Sequence, residues 1–168
     1  LRMPWLDGLN FCRRVKNFNP DLKIYALSGY IYNFDKNEYW DMWRLRHNEK
    51  RNANLYPTHG FGPICHILNI HRGDKMEYLV SVASDQFGMS EFAKKKFGED
   101  SDYGQRKYKR GDMNTTLIKT ARGKSIMIQH DVTSPRPYSR IHLLSGTKGF
   151  VQKWPVQGIA LEPFAHSF

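Results

Sequence analysis

Hydrophobic and polar residues alternate along much of the chain, and this alternation predicts β-strands. In the first such stretch, Leu22, Ile24 and Ala26 lie on one face, whereas Lys23 and Tyr25 lie on the other. This period of two predicts strands over residues 22–32, 114–120 and 125–131, and further strands are predicted over residues 76–83, 138–144 and 150–154. The sequence ARGK between the strands over 114–120 and 125–131 predicts a hairpin turn.

A different spacing predicts two short helices. Pro63 suits the first turn of a helix, and Ile64 and Ile67 then recur at the spacing of one buried face. The second helix is predicted over residues 90–97, with Ser90 as its N-cap.

The segments 33–54 and 98–112 are predicted to be loops, and the first of them is dense in aromatic residues. A chain of 168 residues fits one domain with a sizeable core. Strands in succession, with helices kept to one side, predict an α+β fold built on a mostly antiparallel open sheet with helices on one face.

The formal net charge of +10 favours anionic partners and keeps a nucleic-acid-binding module under consideration. The densest basic run is RKYKR at 106–110, but Asp100, Asp102 and Asp112 lie beside it. This mixture indicates a solvated loop rather than a track for phosphates, so we expect no nucleic-acid partner. No apolar run approaches the roughly 18 residues that a membrane span requires, so we expect none.

One stretch, NLYPTHGFGP at 54–63, concentrates polar side chains at a turn that leads into the first predicted helix. Pro57 fixes its own φ, while Gly60 and Gly62 permit backbone angles closed to other residues and leave room for a ligand. The polar side chains that we place at or just before the helix N-terminus are Tyr56, Thr58 and His59.

The chemistry of individual residues stays open at this level. His59 is a candidate general base or a hydrogen-bonding residue of the turn. His66 and His71 follow it, but no carboxylate or cysteine completes a familiar metal-ligand spacing, so we expect no metal. Tyr138 is either a substrate contact or a tyrosine at the edge of the core. Arg44 is either a clamp for a polar ligand or a surface charge whose stem packs on tryptophans.

Several familiar catalytic motifs are missing from the sequence. The acidic residues form no obvious pair of the kind that conventional glycoside hydrolysis needs. The phosphate-binding motif G-x-x-x-x-G-K is absent, and the glycines at 60 and 62 lack the third glycine and the preceding strand of a dinucleotide-binding turn. The two cysteines, Cys12 and Cys65, are far apart, which speaks against a disulfide scaffold or a zinc ribbon.

Four sequence motifs together resemble glycoside hydrolase family 109, the NAD-dependent α-N-acetylgalactosaminidases. They are NLYPTHG at 54–60, NIHRGD at 69–74, GDMNTT at 111–116 and IQHDVTSPRPYSR at 128–140. The family is part of the Gfo/Idh/MocA group, in which an N-terminal Rossmann domain carries the nucleotide and a C-terminal α/β domain with a large open sheet carries the substrate.

The resemblance implies a division of the chain at residue 30. Residues 1–29 are then a poorly matched lead-in from the domain junction, and residues 30–168 are the substrate-binding C-terminal domain, truncated at its end. Leu9 stands where the family has an acidic residue, so the resemblance does not identify the general acid. The Rossmann domain is missing, and we expect the fragment alone to be inactive.

The resemblance also implies roles for individual residues. His59 is the expected catalytic base with Tyr56 or Tyr30 assisting, and Tyr56 also reaches the nicotinamide end of the cofactor NAD. The expected substrate-binding residues are Tyr30, Arg44, Tyr56, Pro57, Thr58, His59 and Tyr138. An imidazole suits the role of base near neutral pH, because an unperturbed tyrosine titrates near 10.

The implied reaction cleaves terminal α-N-acetylgalactosamine by oxidation at C3, elimination across C2 and C1, addition of water and reduction, with NAD regenerated. The alternatives are an NAD(P)-dependent sugar oxidoreductase of the same superfamily and, less favoured, a basic nucleic-acid-binding module. The expected partners are a glycan ending in N-acetylgalactosamine, the missing Rossmann domain and a second copy through the sheet face. The family resemblance also suggests a periplasmic or secreted bacterial enzyme.

Overall fold

The computed structural model describes residues 23–29, 43–131, 133–134 and 139–164. Seven strands and four helices lie within these ranges. In chain order they are β1 (Lys23–Gly29), α1 (Trp43–Lys50), α2 (Thr58–Ile67), β2 (Met76–Ala83), α3 (Gly88–Phe97), α4 (Asp102–Gln105), β3 (Met113–Thr120), β4 (Ser125–Asp131), β5 (His142–Gly146), β6 (Gly149–Gln152) and β7 (Gly158–Leu161).

The described strands form one sheet with the order β2-β3-β4-β1-β5-β6-β7. β1 pairs in parallel with β4, and every other neighbouring pair among these strands is antiparallel. The predicted α+β fold with a mostly antiparallel sheet is therefore confirmed. The division of the chain at residue 30 stays a prediction, and β1, which precedes it, lies in the middle of the sheet.

The main core lies between α2 and one face of the sheet. Its buried residues come from the helix, from the turn after it and from four strands, and they are Ile64, Ile67, Leu68, Ile70, Ile118, Ile126, Ile128, Leu144 and Val151. Burying such aliphatic side chains contributes about 1.5–3 kcal/mol each. This burial holds α2 against the strands.

The opposite face of the sheet exposes apolar side chains. Val80 and Val82 of β2 are 58% and 66% exposed, and Leu117 of β3 is 54% exposed. Val80 pairs with Leu117 across the two strands, so these side chains form a continuous patch. The predicted open sheet, with the helical layer on one face, agrees with this difference between its faces.

The strand predictions over residues 76–83 and the hairpin of β3 and β4 are confirmed. The loop prediction for residues 33–54 is wrong at α1, because Leu45 of that helix is buried in a second core with Met89, Ala93 and Tyr108. One buried leucine among charged neighbours is too weak a periodic signal to predict a helix.

The start of α3 is also a correction. The helix begins at Gly88 rather than after Ser90, because the carboxylate of Asp112 accepts hydrogen bonds from the backbone N–H groups of Phe87 and Gly88 at 3.1 Å. The acceptor that caps the helix is thus distant in sequence.

The basic run at 106–110 is wrongly predicted as a solvated loop, since Tyr108 and Arg110 are buried. The loop predicted over residues 98–112 also contains α4. The tyrosine belongs to the second core, and burial raises its pKa to about 12. Tyr108 and Arg110 of this run therefore pack inside the domain.

Asp74 joins the turn after α2 to the β3–β4 hairpin. Its carboxylate accepts hydrogen bonds from Thr120 Oγ1 at 2.9 Å, Lys124 Nζ at 3.0 Å and the backbone N–H groups of Lys75 at 2.8 Å and Arg122 at 3.1 Å. Burial acts to raise the pKa of Asp74, but these donors outweigh it and lower the pKa to about 2.

We expect Asp74→Asn to lower the free energy of unfolding at pH 7 by about 2–3 kcal/mol, since it removes charge-assisted hydrogen bonds. The ordinary pKa of an aspartate is about 3.9, so the folded state binds this proton less readily than the unfolded state. The advantage of the wild type should therefore be complete above about pH 4 and should shrink as the pH falls towards 2. Denaturant unfolding of both proteins at several pH values measures it.

The matched control is Asp100→Asn, at an exposed aspartate, which should change stability by less than about 0.5 kcal/mol. A difference between wild type and Asp74→Asn that stays constant from pH 6 to pH 2 would contradict the lowered pKa.

Candidate active site

The turn before α2 is shaped by its own side chains and carbonyl groups. Asn54 Oδ1 accepts a hydrogen bond from the backbone N–H of Tyr56 at 3.1 Å, which is the local pattern of an Asx turn. The carbonyl of Pro57 then accepts from the N–H of Phe61 at 2.7 Å, so the helix begins directly at Thr58. Tyr56 and His59 are thereby held on consecutive parts of one rigid turn.

Tyr56, His59 and Arg44 form a contiguous group. The hydroxyl of Tyr56 lies 2.8 Å from His59 Nε2, and the two rings meet edge to face. The guanidinium carbon of Arg44 lies 4.8 Å from the centre of the Tyr56 ring, which is a cation–π contact. His59 is exposed, while the other two side chains are half-buried. A phenol, an imidazole and a guanidinium are therefore available together at the surface of the chain.

Arg44 reaches this group because α1 is fixed to the segment before β3. The carbonyl of Asn48 accepts from the backbone N–H of Arg110 at 3.0 Å. Asn52 Oδ1 accepts from the N–H of Gly111, also at 3.0 Å. These bonds join α1 to a part of the chain that is distant in sequence, and they set where its first turn lies.

His142 of β5 connects the sheet to the first turn of α2. It is 4% exposed, and its Nε2 donates to the carbonyl of Gly60 at 3.1 Å. Burial lowers the pKa of His142, and the positive charge of Lys153 lowers it further, whereas the carbonyls of Gly60 and His59 act in the opposite direction. The ring is therefore neutral near pH 7.

A second polar cluster lies at the end of β4. Arg110 Nη2 donates to His130 Nδ1 at 3.0 Å, and both side chains are buried. Burial lowers the pKa of His130 to about 3, with the charge of Arg110 as the next cause. The adjacent Asp131 accepts from the backbone N–H groups of Thr133 at 3.2 Å and Ser134 at 3.0 Å. This cluster fixes the path of the chain as it leaves the strand.

The structure brings together five of the predicted site residues: Arg44, Tyr56, Pro57, Thr58 and His59. The other two, Tyr30 and Tyr138, lie outside the described residues. The roles of all seven stay predictions.

The predictions for the glycines and for the start of the helix need correction. Gly60 and Gly62 lie inside α2, and neither has a positive φ, so special backbone angles do not explain them. The helix begins at Thr58, so Thr58 lies at its N-terminus as predicted, but Pro63 lies beyond the first turn in which the sequence predicted it. The first helical bond runs from the N–H of Phe61 to the carbonyl of Pro57.

Sequence reasoning missed Asn54 and His142. The signal for Asn54 was its place two residues before Tyr56, the spacing of an Asx turn. The signal for His142 was its alternation with Leu144, which puts an imidazole on the buried face of a strand.

Among the residues that the structure describes, no group of three histidine, cysteine, aspartate or glutamate residues has the geometry to hold a metal ion. Nor does any helix there have the length and apolar character needed to cross a membrane.

Comparisons with known proteins give a family and relatives. The family model for the glycosyl hydrolase 109 C-terminal domain matches residues 12–167. An alpha-N-acetylgalactosaminidase of Bacteroides fragilis is 56% identical over 140 residues, which are 83% of this chain and 33% of that protein. A glycosyl hydrolase family 109 protein of Phocaeicola vulgatus is 50% identical over 126 residues, 75% of this chain and 30% of that protein. The chain thus spans about a third of the length of these curated relatives.

Solved structures share the fold at low sequence identity. A myo-inositol dehydrogenase from Lactobacillus casei, in complex with NAD(H) and myo-inositol, has a TM-score of 0.56 at 14% identity and covers 93% of this chain and 38% of its own. An inositol dehydrogenase homolog from Azotobacter vinelandii, complexed with NAD+, has a TM-score of 0.55 at 8% identity, with coverages of 95% and 42%. These likenesses show that the sheet and helices share the fold of part of these dehydrogenases.

We expect Gly62→Ala to raise the free energy of unfolding by about 0.5–1 kcal/mol, because an alanine loses less backbone entropy in a helix. A Cβ atom at this position meets nothing within 4 Å. Denaturant unfolding measures the change. The control is Gly149→Ala, which should destabilise, since its φ is 156° and its Cβ would clash with the carbonyl oxygen of Ala160. A loss of stability in Gly62→Ala would contradict the helical geometry.

Proposed function

Because the chain belongs to glycosyl hydrolase family 109, we propose that it is the sugar-binding domain of an NAD-dependent enzyme that cleaves terminal α-N-acetylgalactosamine. The observation that supports this most directly is the contact of Tyr56 with His59, with Arg44 stacked on the tyrosine. These three residues lie in or near the turn that carries the family motif NLYPTHG.

His59 is the proposed base for the proton at C2 of the sugar. Its imidazole is exposed at the start of α2, so a sugar ring can approach it from solvent. The 2.8 Å contact between its Nε2 and the Tyr56 hydroxyl gives the ring a fixed orientation and a neighbour with which to exchange a proton. His59 therefore takes the proton, and Tyr56 assists by holding the ring.

Arg44 and the remaining side chains are proposed to orient the sugar. A guanidinium carries several donors in one plane, which suits the ring hydroxyls or the acetamido oxygen of N-acetylgalactosamine. Thr58 and Pro57 border the same turn, and Tyr30 and Tyr138 complete the proposed set from parts of the chain outside the described residues. Orientation matters because the C2 proton must face His59.

We propose that this chain meets NAD at the nicotinamide end of the cofactor. The phosphates of a dinucleotide are usually bound by a glycine-rich turn at a helix N-terminus, whereas α2 is preceded by a tyrosine and a proline. Tyr56 is the residue of this chain that we propose to contact the cofactor, and a Rossmann domain would hold the rest. When bound, NAD would supply reversible oxidation at C3, which acidifies the proton at C2.

The open face of the sheet is the proposed surface for a second copy of the chain. The apolar side chains of Val80, Val82 and Leu117 on this face are each more than half exposed. Contiguous apolar patches of this kind in soluble proteins usually mark interfaces. The other proposed partners are the Rossmann domain and a glycan that ends in N-acetylgalactosamine.

The second candidate function is an NAD(P)-dependent sugar oxidoreductase. The observation that favours it is the fold, which the chain shares with inositol dehydrogenases. Such an enzyme would release one reduced cofactor for each sugar oxidised. A glycosidase that regenerates NAD would release none.

This difference provides the test of the proposal. The complete polypeptide that carries this domain is incubated with nitrophenyl α-N-acetylgalactosaminide and NAD. We expect nitrophenol to form without net accumulation of NADH, and the 168-residue chain alone to form none, because it lacks a phosphate-binding turn. Stoichiometric NADH without nitrophenol would establish the oxidoreductase instead, and cleavage by the isolated chain would contradict the proposed division of labour.

In the same polypeptide, we expect His59→Ala to lower turnover by about 100- to 10,000-fold, the usual contribution of a general acid or base. The thermal midpoint should stay near that of the wild type, since this side chain is exposed. His66→Ala is the matched control, because His66 is exposed on the same helix and should leave turnover within about threefold. A similar result for His59→Ala would remove His59 from the mechanism.

A further inference from the structure

His142 is held by the sheet through its backbone. His142 pairs with Ala26 of the neighbouring strand β1, and the carbonyl of His142 accepts a hydrogen bond from the N–H of Lys153 at 2.9 Å. The side chain points to the buried face, where its strand neighbour Leu144 is fully buried in the main core. Since both sides of the strand are paired, the imidazole has little freedom to move with respect to the sheet.

The first turn of α2 carries a weakness in its hydrogen bonding. Pro63 has no N–H, so the carbonyl of His59, four residues earlier, lacks the donor that an α-helix normally provides. The next carbonyl is that of Gly60, and its oxygen lies 3.1 Å from His142 Nε2. A carbonyl oxygen only accepts, so Nε2 must carry the proton. An imidazole from the sheet therefore donates to the first turn of α2, at the carbonyl next to the one that lacks its helical donor.

We propose that His142 is a positioning residue for the reaction, acting through the first turn of α2 to fix the orientation of His59. The inference rests on the proposed function of His59 as base. The path is short: the imidazole of His142 bonds the carbonyl of the residue that directly follows His59. A shift of this first turn would carry His59 with it and break the 2.8 Å contact between His59 Nε2 and the Tyr56 hydroxyl.

The alternative role for His142 is simple packing in the core. An aliphatic side chain would fill the same space on the strand at a lower cost of burial, because a polar ring loses its hydration there. The bond to the Gly60 carbonyl persists through the physiological pH range, because Nε2 carries a proton both in this neutral tautomer and in the protonated ring. The charged groups that act on the ring are Lys153 and Arg140, and both disfavour its protonation. The contact is therefore a permanent support rather than a switch.

The test compares two substitutions of His142 in the complete polypeptide that carries this domain. His142→Met keeps an apolar filling but removes the donor, whereas His142→Gln retains an amide N–H that can reach the carbonyl of Gly60. We expect the methionine variant to lower kcat about 10- to 100-fold, because a misplacement of about 1 Å has effects of that size. KM for the glycoside and the affinity for NAD should change little. The glutamine variant should recover kcat to within about threefold of the wild type.

A double variant distinguishes positioning from packing. In the His59→Ala background, His142→Met should lower the residual kcat by less than about twofold, since the residue that it positions is already gone. An undiminished 10-fold loss in that background, or the same kcat in the methionine and glutamine variants, would overturn the inference. All rates are taken below the thermal midpoint of each variant.

A measurement without turnover keeps this inference separate from the proposed function. Imidazole nitrogen NMR of the wild type and of His142→Met, with histidine labelled, reports the hydrogen bond between His59 Nε2 and Tyr56. We expect the resonance of His59 Nε2 to shift in the methionine variant and to be restored in the glutamine variant. An unchanged His59 resonance would overturn the inference even if cleavage is seen. Absence of cleavage by the wild type would instead refute the proposed function.

Discussion

The burial of α2 against one face of the sheet is the constraint on which the rest of the structure depends. Ile64 and Ile67 of this helix are almost completely buried against isoleucines of β3 and β4. That packing determines where the N-terminus of the helix lies, and the turn with Tyr56 and His59 leads directly into it. The candidate site therefore depends on the core for its position.

Polar anchors then refine what hydrophobic packing sets only roughly. Asp74 ties the turn after α2 to the hairpin, Asp112 caps α3, and Asp131 fixes the chain after β4. His142 does the same for the first turn of α2. Each of these side chains forms hydrogen bonds with a group elsewhere in the chain or at a turn. These bonds fix the conformation of irregular segments, as backbone pairing fixes the strands.

Local patterns explain which parts of this arrangement could be predicted from the sequence. The strand over residues 76–83 and the turn between β3 and β4 depend only on near neighbours, and both were predicted correctly. The start of α3 depends on Asp112, and the helix α1 depends on the burial of Leu45 among residues of α3 and Tyr108. Such partners are distant in sequence and leave no local signal.

The site divides in the same way. A motif placed Tyr56 and His59 on one turn, because their spacing is local. The stacking of Arg44 on Tyr56 is a contact between α1 and the turn before α2, and its chemistry followed only from the family resemblance. His142 escaped prediction because a histidine that alternates with leucine in a strand looks like any other core residue until its acceptor on another element is known.

The position of β1 has a consequence for how the sheet assembles. β2, β3 and β4 form one antiparallel unit and β5, β6 and β7 form another, and β1 is hydrogen-bonded between them. Each unit consists of strands that are neighbours in sequence or close to it, whereas β1 must pair with strands far along the chain, and such distant pairings form slowly. Until β1 docks, β4 and β5 each present an unpaired edge, and unpaired edges are templates for association with other chains. The strand that completes the sheet is thus also the one that protects the folding chain from aggregation.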